Sequence, residues 1–351
     1  MGGVTISVEK PPVDFIFSVT TTNTPHTFSL PTVVGGNYDY VVDWGDDSSD
    51  HITTYNDPNR IHSYATPATY DITISGTFTG LRFGGSGALN GALVTDIKQW
   101  GIFNPGNNIG VFRYCTNLTN LTASDILDLT GVTTLEQFFY GNTNLATIPN
   151  INSWDVSGIE VMEYVLSGTS FNQDISNWDV SSVTNMYHAV SGSLFDQDIS
   201  GWNVSNVINF GYMFYDTPFD QDIGGWDVSS GTLFNSMFYD ADSFNQDISG
   251  WITSSATNFQ SMFYLNNGGF DQNIGGWDIA NVTAMNNMFG ARSISTVNYD
   301  ALLIGWEGQA VKDNVTFDGG TSKYTGGGAV ATARQALIDD HSWVITDGGI
   351  A

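Results

Sequence analysis

From residue 151 onward the apolar positions recur in a fixed order that is neither a helical nor a strand rhythm. The octad Phe-x-Gln-x-Ile-x-x-Trp runs Phe171-Asn172-Gln173-Asp174-Ile175-Ser176-Asn177-Trp178, then Phe195 to Trp202, Phe219 to Trp226, Phe244 to Trp251 and Phe270 to Trp277. Counted from Trp154, successive Trp residues lie 24, 24, 24, 25 and 26 positions apart. Each Trp is followed by an Asp-Val-Ser-like segment and then a Met/Phe cluster, such as Met213-Phe214-Tyr215, Met237-Phe238-Tyr239 or Met262-Phe263-Tyr264. A unit this short cannot enclose its own Ile, Trp, Val, Met and Phe, so neighbouring units must bury them together. β-prone pieces around Trp-Asp-Val-Ser-x-Val-Thr are expected to pair in parallel, about 4.8 Å apart. The Met/Phe cluster is expected to open a short helical or turn segment that returns the chain. Extra residues before Phe244 and Phe270 fall in loop-like sequence such as Asn266-Asn267-Gly268-Gly269.

The pattern decays toward the N-terminus. Trp154-Asp155-Val156-Ser157 is half a unit, Leu135 to Asn142 resembles the Met/Phe segment, and Ile97-Lys98-Gln99-Trp100 with Phe112-Arg113-Tyr114-Cys115 reads as a divergent turn. Downstream, Tyr299 to Trp306 and Ala329 to Ile338 keep helical apolar spacing and would close the open end of a stack. Residues 13–80 differ in kind: Phe15 to Val19, Tyr38 to Trp44 and Tyr70 to Gly76 alternate like half-buried strands separated by Gly/Asp turns. The expected organisation is an N-terminal arm (1–12), a small antiparallel β-sandwich (13–80), divergent turns (81–150), regular repeats (151–290) and a C-terminal cap (291–351). The fold class is mainly β with short helices.

Composition changes this picture mainly through charge. The 36 acidic residues face nine basic ones, and only five of the acids are Glu. Asp with 39 Gly is turn chemistry rather than helix chemistry. Between Arg113 and Arg292 there are nineteen acids and no Lys or Arg. Such a surface repels phosphate backbones, so no nucleic acid is expected as partner. No run of apolar residues is long enough for membrane insertion. Cys115 is alone and reads as a small buried hydrophobe.

Asp43-Trp44-Gly45-Asp46-Asp47, with Ile61-His62-Ser63-Tyr64 and Pro67-Ala68-Thr69-Tyr70, resembles a PKD-type immunoglobulin-like domain, with Asp47 and Ala68 standing where its pattern has glycine. The Phe-Asn-Gln-Asp-Ile-Ser-x-Trp-Asp-Val-Ser units resemble BspA-like leucine-rich-repeat surface proteins of bacteria, and the closing segment resembles their C-terminal cap. The resemblance implies a leucine-rich-repeat-like solenoid, surface display, and protein or glycan contact without catalysis. A Met-initiated chain with no secretion signal fits a phage virion component: a fibre, spike or head-decoration protein. Other virion proteins would then be partners through the arm and β-sandwich, with a host-surface glycan or protein as target and a homo-oligomer as assembly. The expected location is the virion surface; a bacterial cell-surface adhesin is the alternative, and a glycan-active enzyme a weaker one.

Four repeated features could carry chemistry. Asp174, Asp198, Asp222 and Asp247 occupy one position in consecutive units and would form a column of like charges. Turn capping is one way to hold them, and a Ca²⁺ ladder the other. Gln173, Gln197, Gln221, Gln246 and Gln272 suggest an amide ladder in which each side chain bonds the next. The Trp column reads as core. Tyr215, Tyr239 and Tyr264 each follow a Met-Phe pair that fills the interior, so they are the candidate recognition surface. His62 is expected to hydrogen-bond within the β-sandwich. The other His are scattered, and no nucleophile elbow, P-loop or dinucleotide fingerprint occurs.

Overall fold

Alternation in the N-terminal sequence becomes sheet because one face of each strand is apolar. In the computed structural model, which describes residues 14–22, 26–84, 91–119, 121–266 and 269–351, the chain is mainly β with two α-helices among those residues. The arm read at residues 1–12 lies outside them. Seven strands come first: β1 (Phe15–Thr20), β2 (His26–Ser29), β3 (Tyr38–Asp43), β4 (Ser49–Ile52), β5 (Ile61–Tyr64), β6 (Thr69–Phe78) and β7 (Val94–Gln99). Five form an antiparallel sheet in the order β4-β3-β6-β1-β7, and β2 pairs with β5. In β3, Tyr38, Tyr40 and Val42 point inward while Asp39, Val41 and Asp43 face water. Phe17 of the sheet meets Phe28 of the β2–β5 pair at 6.1 Å between ring centroids.

The residues behind the PKD-type resemblance are tied together. His62 stacks on Trp44 at 4.8 Å and its Nε2 lies 2.8 Å from the Asp46 carboxylate. Trp44 Nε1 donates to Asp50, and the Tyr64 hydroxyl donates to the Trp44 carbonyl. Asp47, where glycine was expected, adopts φ 66; a short polar side chain tolerates that left-handed conformation.

Strand β7 belongs to two structures at once. It pairs with β1 on one side, while its Ile97 carbonyl accepts the backbone N–H groups of Thr122 and Ala123 from the next coil. From there the chain winds in coils, each joined to the next by one parallel bridge: Thr134, Val161, Asn185, Asn209, Leu233, Asn258 and Ala284 in turn. The parallel strands expected around Trp-Asp-Val-Ser are reduced to these single bridges. The cause is turn chemistry: Asp179 and Asp227 accept the backbone N–H two residues on, and Val207 N–H bonds back to Val204.

The inter-coil hydrogen bonds gather instead in the Met/Phe segment. Phe210, Tyr212, Phe214 and Asp216 donate to Leu233, Asn235, Met237 and Tyr239 of the next coil, whereas Met213 and Tyr215 donate three residues back within their own. Two left-handed residues per coil make this alternation possible. One column is Gln137, Tyr164, His188, Tyr212, Ser236, Ser261 and Asn287, with φ from 55 to 58. The other is Gly141, Gly168, Gly192, Asp216, Asp240, Leu265 and Ala291. For non-Gly residues this backbone costs roughly 1 kcal/mol each, offset at Gln137, Tyr164, His188, Tyr212, Asp216, Ser236, Asp240 and Ser261 by a backbone hydrogen bond to the following coil.

Inside, the columns are apolar. Phe171, Phe195 and Phe219 stack at 6.2 Å. Ile, Trp, Val and Met fill the remainder and are almost fully buried. The C-terminal segment continues this scheme. Helix α1 (Thr296–Glu307) brings Trp306 onto the Trp column, its Nε1 donating to Ile274 O, and Asn298 takes the place of the repeated Gln by donating to Asp271. Strand β8 (Thr316–Asp318) bridges Met285 and pairs in parallel with β9 (Val344–Thr346), and α2 (Gly328–Asp339) packs on α1.

Candidate functional site

The repeated polar residues divide into those that hold coils together and those that face outward. Asn172, Asp196, Asp220, Asn245 and Asp271, each just before the repeated Gln, are coil-to-coil clamps. Asp220 Oδ1 accepts the Asn245 backbone N–H at 3.1 Å and the Gln246 side chain at 2.9 Å, and the other members do the same. Gln197, Gln221, Gln246 and Gln272 therefore bond the Asn or Asp of the preceding coil, which corrects the expected Gln-to-Gln ladder. The amide reaches that acceptor because the acceptor already caps its neighbour's backbone. Asp220→Leu is expected to cost about 2 kcal/mol, the loss of two bonds to a charged acceptor. Asp220→Asn is expected to remain within about 0.5 kcal/mol, since Asn stands naturally at this position in two coils. Chemical denaturation of the two variants measures the difference.

Asp174, Asp198, Asp222 and Asp247 each accept a backbone N–H two residues on, at 2.9 to 3.0 Å, closing the turn before the Trp. The backbone and then the hydroxyl of Ser176 and Ser200 hold the Asp174 and Asp198 carboxyls below their usual pKa, and the hydroxyl and then the backbone of Ser249 do so for Asp247. Among the described residues no three His, Cys, Asp or Glu side chains converge as metal ligands would. The Trp column is core, and Trp178, Trp202, Trp226, Trp251 and Trp277 each donate Nε1 to the Ile carbonyl of the preceding coil.

Tyr215, Tyr239 and Tyr264 lie side by side, half-buried, with ring centroids 4.8 and 5.0 Å apart. They end a longer series. Tyr114 packs on Tyr140 at 5.1 Å, Tyr140 on Tyr164 at 5.0 Å, Tyr164 on His188 at 4.5 Å and His188 on Tyr212 at 4.3 Å. Tyr212 then meets Tyr215 of its own coil at 5.7 Å. The ladder sidesteps because Tyr140, Tyr215, Tyr239 and Tyr264 share one position in the coil, where Ser167 and Ser191 stand in the two coils between. There the rings come from three residues earlier, Tyr164 and His188, and Tyr212 adds a ring at the same place in the Tyr215 coil. Ser167 and Ser191 hydrogen-bond each other at 2.8 Å beneath them. Only the last three rungs, Tyr215, Tyr239 and Tyr264, are legible from the repeat spacing, since the sidestep breaks the periodicity before them. Burial between the rings lowers the His188 pKa to about 4, so the imidazole is neutral at pH 7.

Among the described residues one cation lies over the rings of the ladder. The Arg113 guanidinium lies 4.7 Å from the Tyr114 ring centroid and 5.4 Å from that of Tyr140, and its Nη1 donates to Gln137 at 2.7 Å. Carboxylates follow the rest. Desolvation first and Glu136 second raise the Glu163 pKa. Burial and then Asp240 and Asp242 raise that of Asp216. A carboxyl with a raised folded-state pKa costs stability above that pKa, and the cost vanishes as pH falls through it. Asp216→Asn is therefore expected to raise Tm at pH 7, with the gain shrinking toward about pH 4, where the unfolded carboxyl titrates. Thermal melts at the two pH values check this; an equal gain at both would place the effect in the backbone instead.

No curated protein and no solved structure matches the chain. The family model described as "Mycoplasma protein of unknown function, DUF285" matches residues 106–218 and 191–306, more than half of the sequence and all of the regular coils. This match supports the BspA-like reading of the repeats, and the chain belongs to the DUF285 family.

Proposed function

We propose that this is a non-catalytic display protein, in which a PKD-type sandwich orients a leucine-rich-repeat-like solenoid whose outer face makes the contact. The aromatic ladder carries the reading. Seven coils spend a position on an outward aromatic ring, and when the position fails in two coils a neighbouring one supplies the ring. Packing alone does not require this, because the buried Phe, Trp and Met columns already fill the interior. The repeated Asp, Asn and Gln are consumed in turns and clamps, which leaves the ladder and its carboxylates as the chemistry offered to a partner. The carrier on this reading is a virion, with a bacterial surface as the alternative setting, and immunogold labelling separates the two. Limited proteolysis of intact particles or cells tests display itself: antibodies to residues 151–290 should bind while residues 14–80 are protected. Turnover of a polysaccharide by the purified chain, or a buried repeat region, would overturn the proposal.

A further inference from the structure

We infer that the ladder from Tyr140 to Tyr264 is a docking track for an arginine-bearing basic polypeptide segment, a partner that deepens, and rests on, the display reading. Charge complementarity sets the sign. Between Arg113 and Arg292 the chain has no Lys or Arg against nineteen acids, and Glu163 acts on the Tyr164 hydroxyl while Asp216 and Asp240 act on that of Tyr215.

The ring geometry narrows the class. Successive rings are tilted by 46° and 51° at the start of the ladder, lie at 9° and 14° on either side of His188, and are tilted again by 44° between Tyr212 and Tyr215 and by 30° at the last two rungs. Faces packed on one another at about 5 Å offer no coplanar platform for a sugar ring, but tilted rings leave room for a flat cation within reach of two centroids. Arg113 occupies such a place at the first rung, touching two rings while donating to Gln137. It is an intramolecular example of the contact the later rungs lack. Arginine suits it better than lysine because the guanidinium is planar, weakly hydrated and stacks on aromatic rings.

The test uses the full chain and two probes of equal charge, fluorescent nona-arginine and nona-lysine, with anisotropy read at two salt concentrations. Both should bind through net charge, and both should weaken with salt. Nona-arginine should bind roughly fivefold tighter, corresponding to one or two exposed cation–π contacts. The Tyr215→Leu/Tyr239→Leu double variant should lose that excess while keeping the salt-sensitive part, and Tyr215→Phe/Tyr239→Phe should retain it. Arg113→Gln should tighten nona-arginine about twofold relative to nona-lysine because the internal competitor is gone. Equal affinity for the two peptides, an excess that survives the Leu variant, or no tightening in Arg113→Gln overturns the proposal. Those results leave the proteolysis test of display standing on its own.

Discussion

Trp226→Ala is expected to lower the unfolding free energy by about 3–5 kcal/mol, the usual cost of emptying a buried aromatic site. Trp226 is 4% exposed, lies against Phe210 and Phe214 at 6.2 and 6.3 Å, and donates Nε1 to Ile199 O at 3.2 Å. The substitution opens a cavity and also removes one of two bonds to the Ile199 carbonyl, which keeps the Trp202 backbone N–H at 3.0 Å. Trp226→Phe separates these effects: it keeps a ring and loses the donor, so a loss of about 0.5–1.5 kcal/mol is expected for the bond. Because each coil contacts only its neighbours, the damage should spread along the stack and not through the whole chain. Hydrogen exchange should rise in residues 195–251 and stay near native in β1, β3 and β6. Uniform deprotection of the whole chain would refute nearest-neighbour coupling.

The second large effect is expected at the cap. Gly305, inside α1, faces Gly275 of the last coil so closely that an added Cβ would overlap the Gly275 carbonyl oxygen. Ala is ordinarily the better helix residue, by roughly 0.5–1 kcal/mol. Here the overlap is with backbone, which cannot rotate away, and overpacking of this kind costs about 1–3 kcal/mol. Gly305→Ala should therefore be net destabilising, lifting α1 and weakening the Trp306 bond to Ile274. A control Ala at Gly308, where nothing but Ile304 O comes near, should be close to neutral. Scanning calorimetry of the pair decides the matter; a stabilised Gly305→Ala would show that the helix can shift without losing the stack.

These two sites mark what the sequence made legible. The Trp column was readable because a buried residue repeats wherever the coil repeats, and Trp154 to Trp277 do so with almost constant spacing. The helices at Tyr299–Trp306 and Ala329–Ile338 were readable from apolar spacing. The reach of β7 was not, since Val94–Gln99 carries no sign that its two edges serve different partners. Nor was the preference of Asp-Val-Ser for turns over strand, because β-branched residues favour both a pleated surface and the buried corner of a turn. The ladder was half-visible: Tyr239 and Tyr264 share a frame, whereas Tyr164 and His188 are matched in space by residues three positions away in the coil.

That sidestep limits how such an array can change length. Residues from Phe219 onward keep their tyrosine in one frame, so a whole coil duplicated there would lengthen the track without breaking it. Loss of the coil that carries both Tyr212 and Tyr215 would set His188 beside Ser236 and cut the track in two, though the Trp spine would close normally. Copy number should therefore drift freely on either side of that crossover coil and never remove it, where folding alone would tolerate its loss.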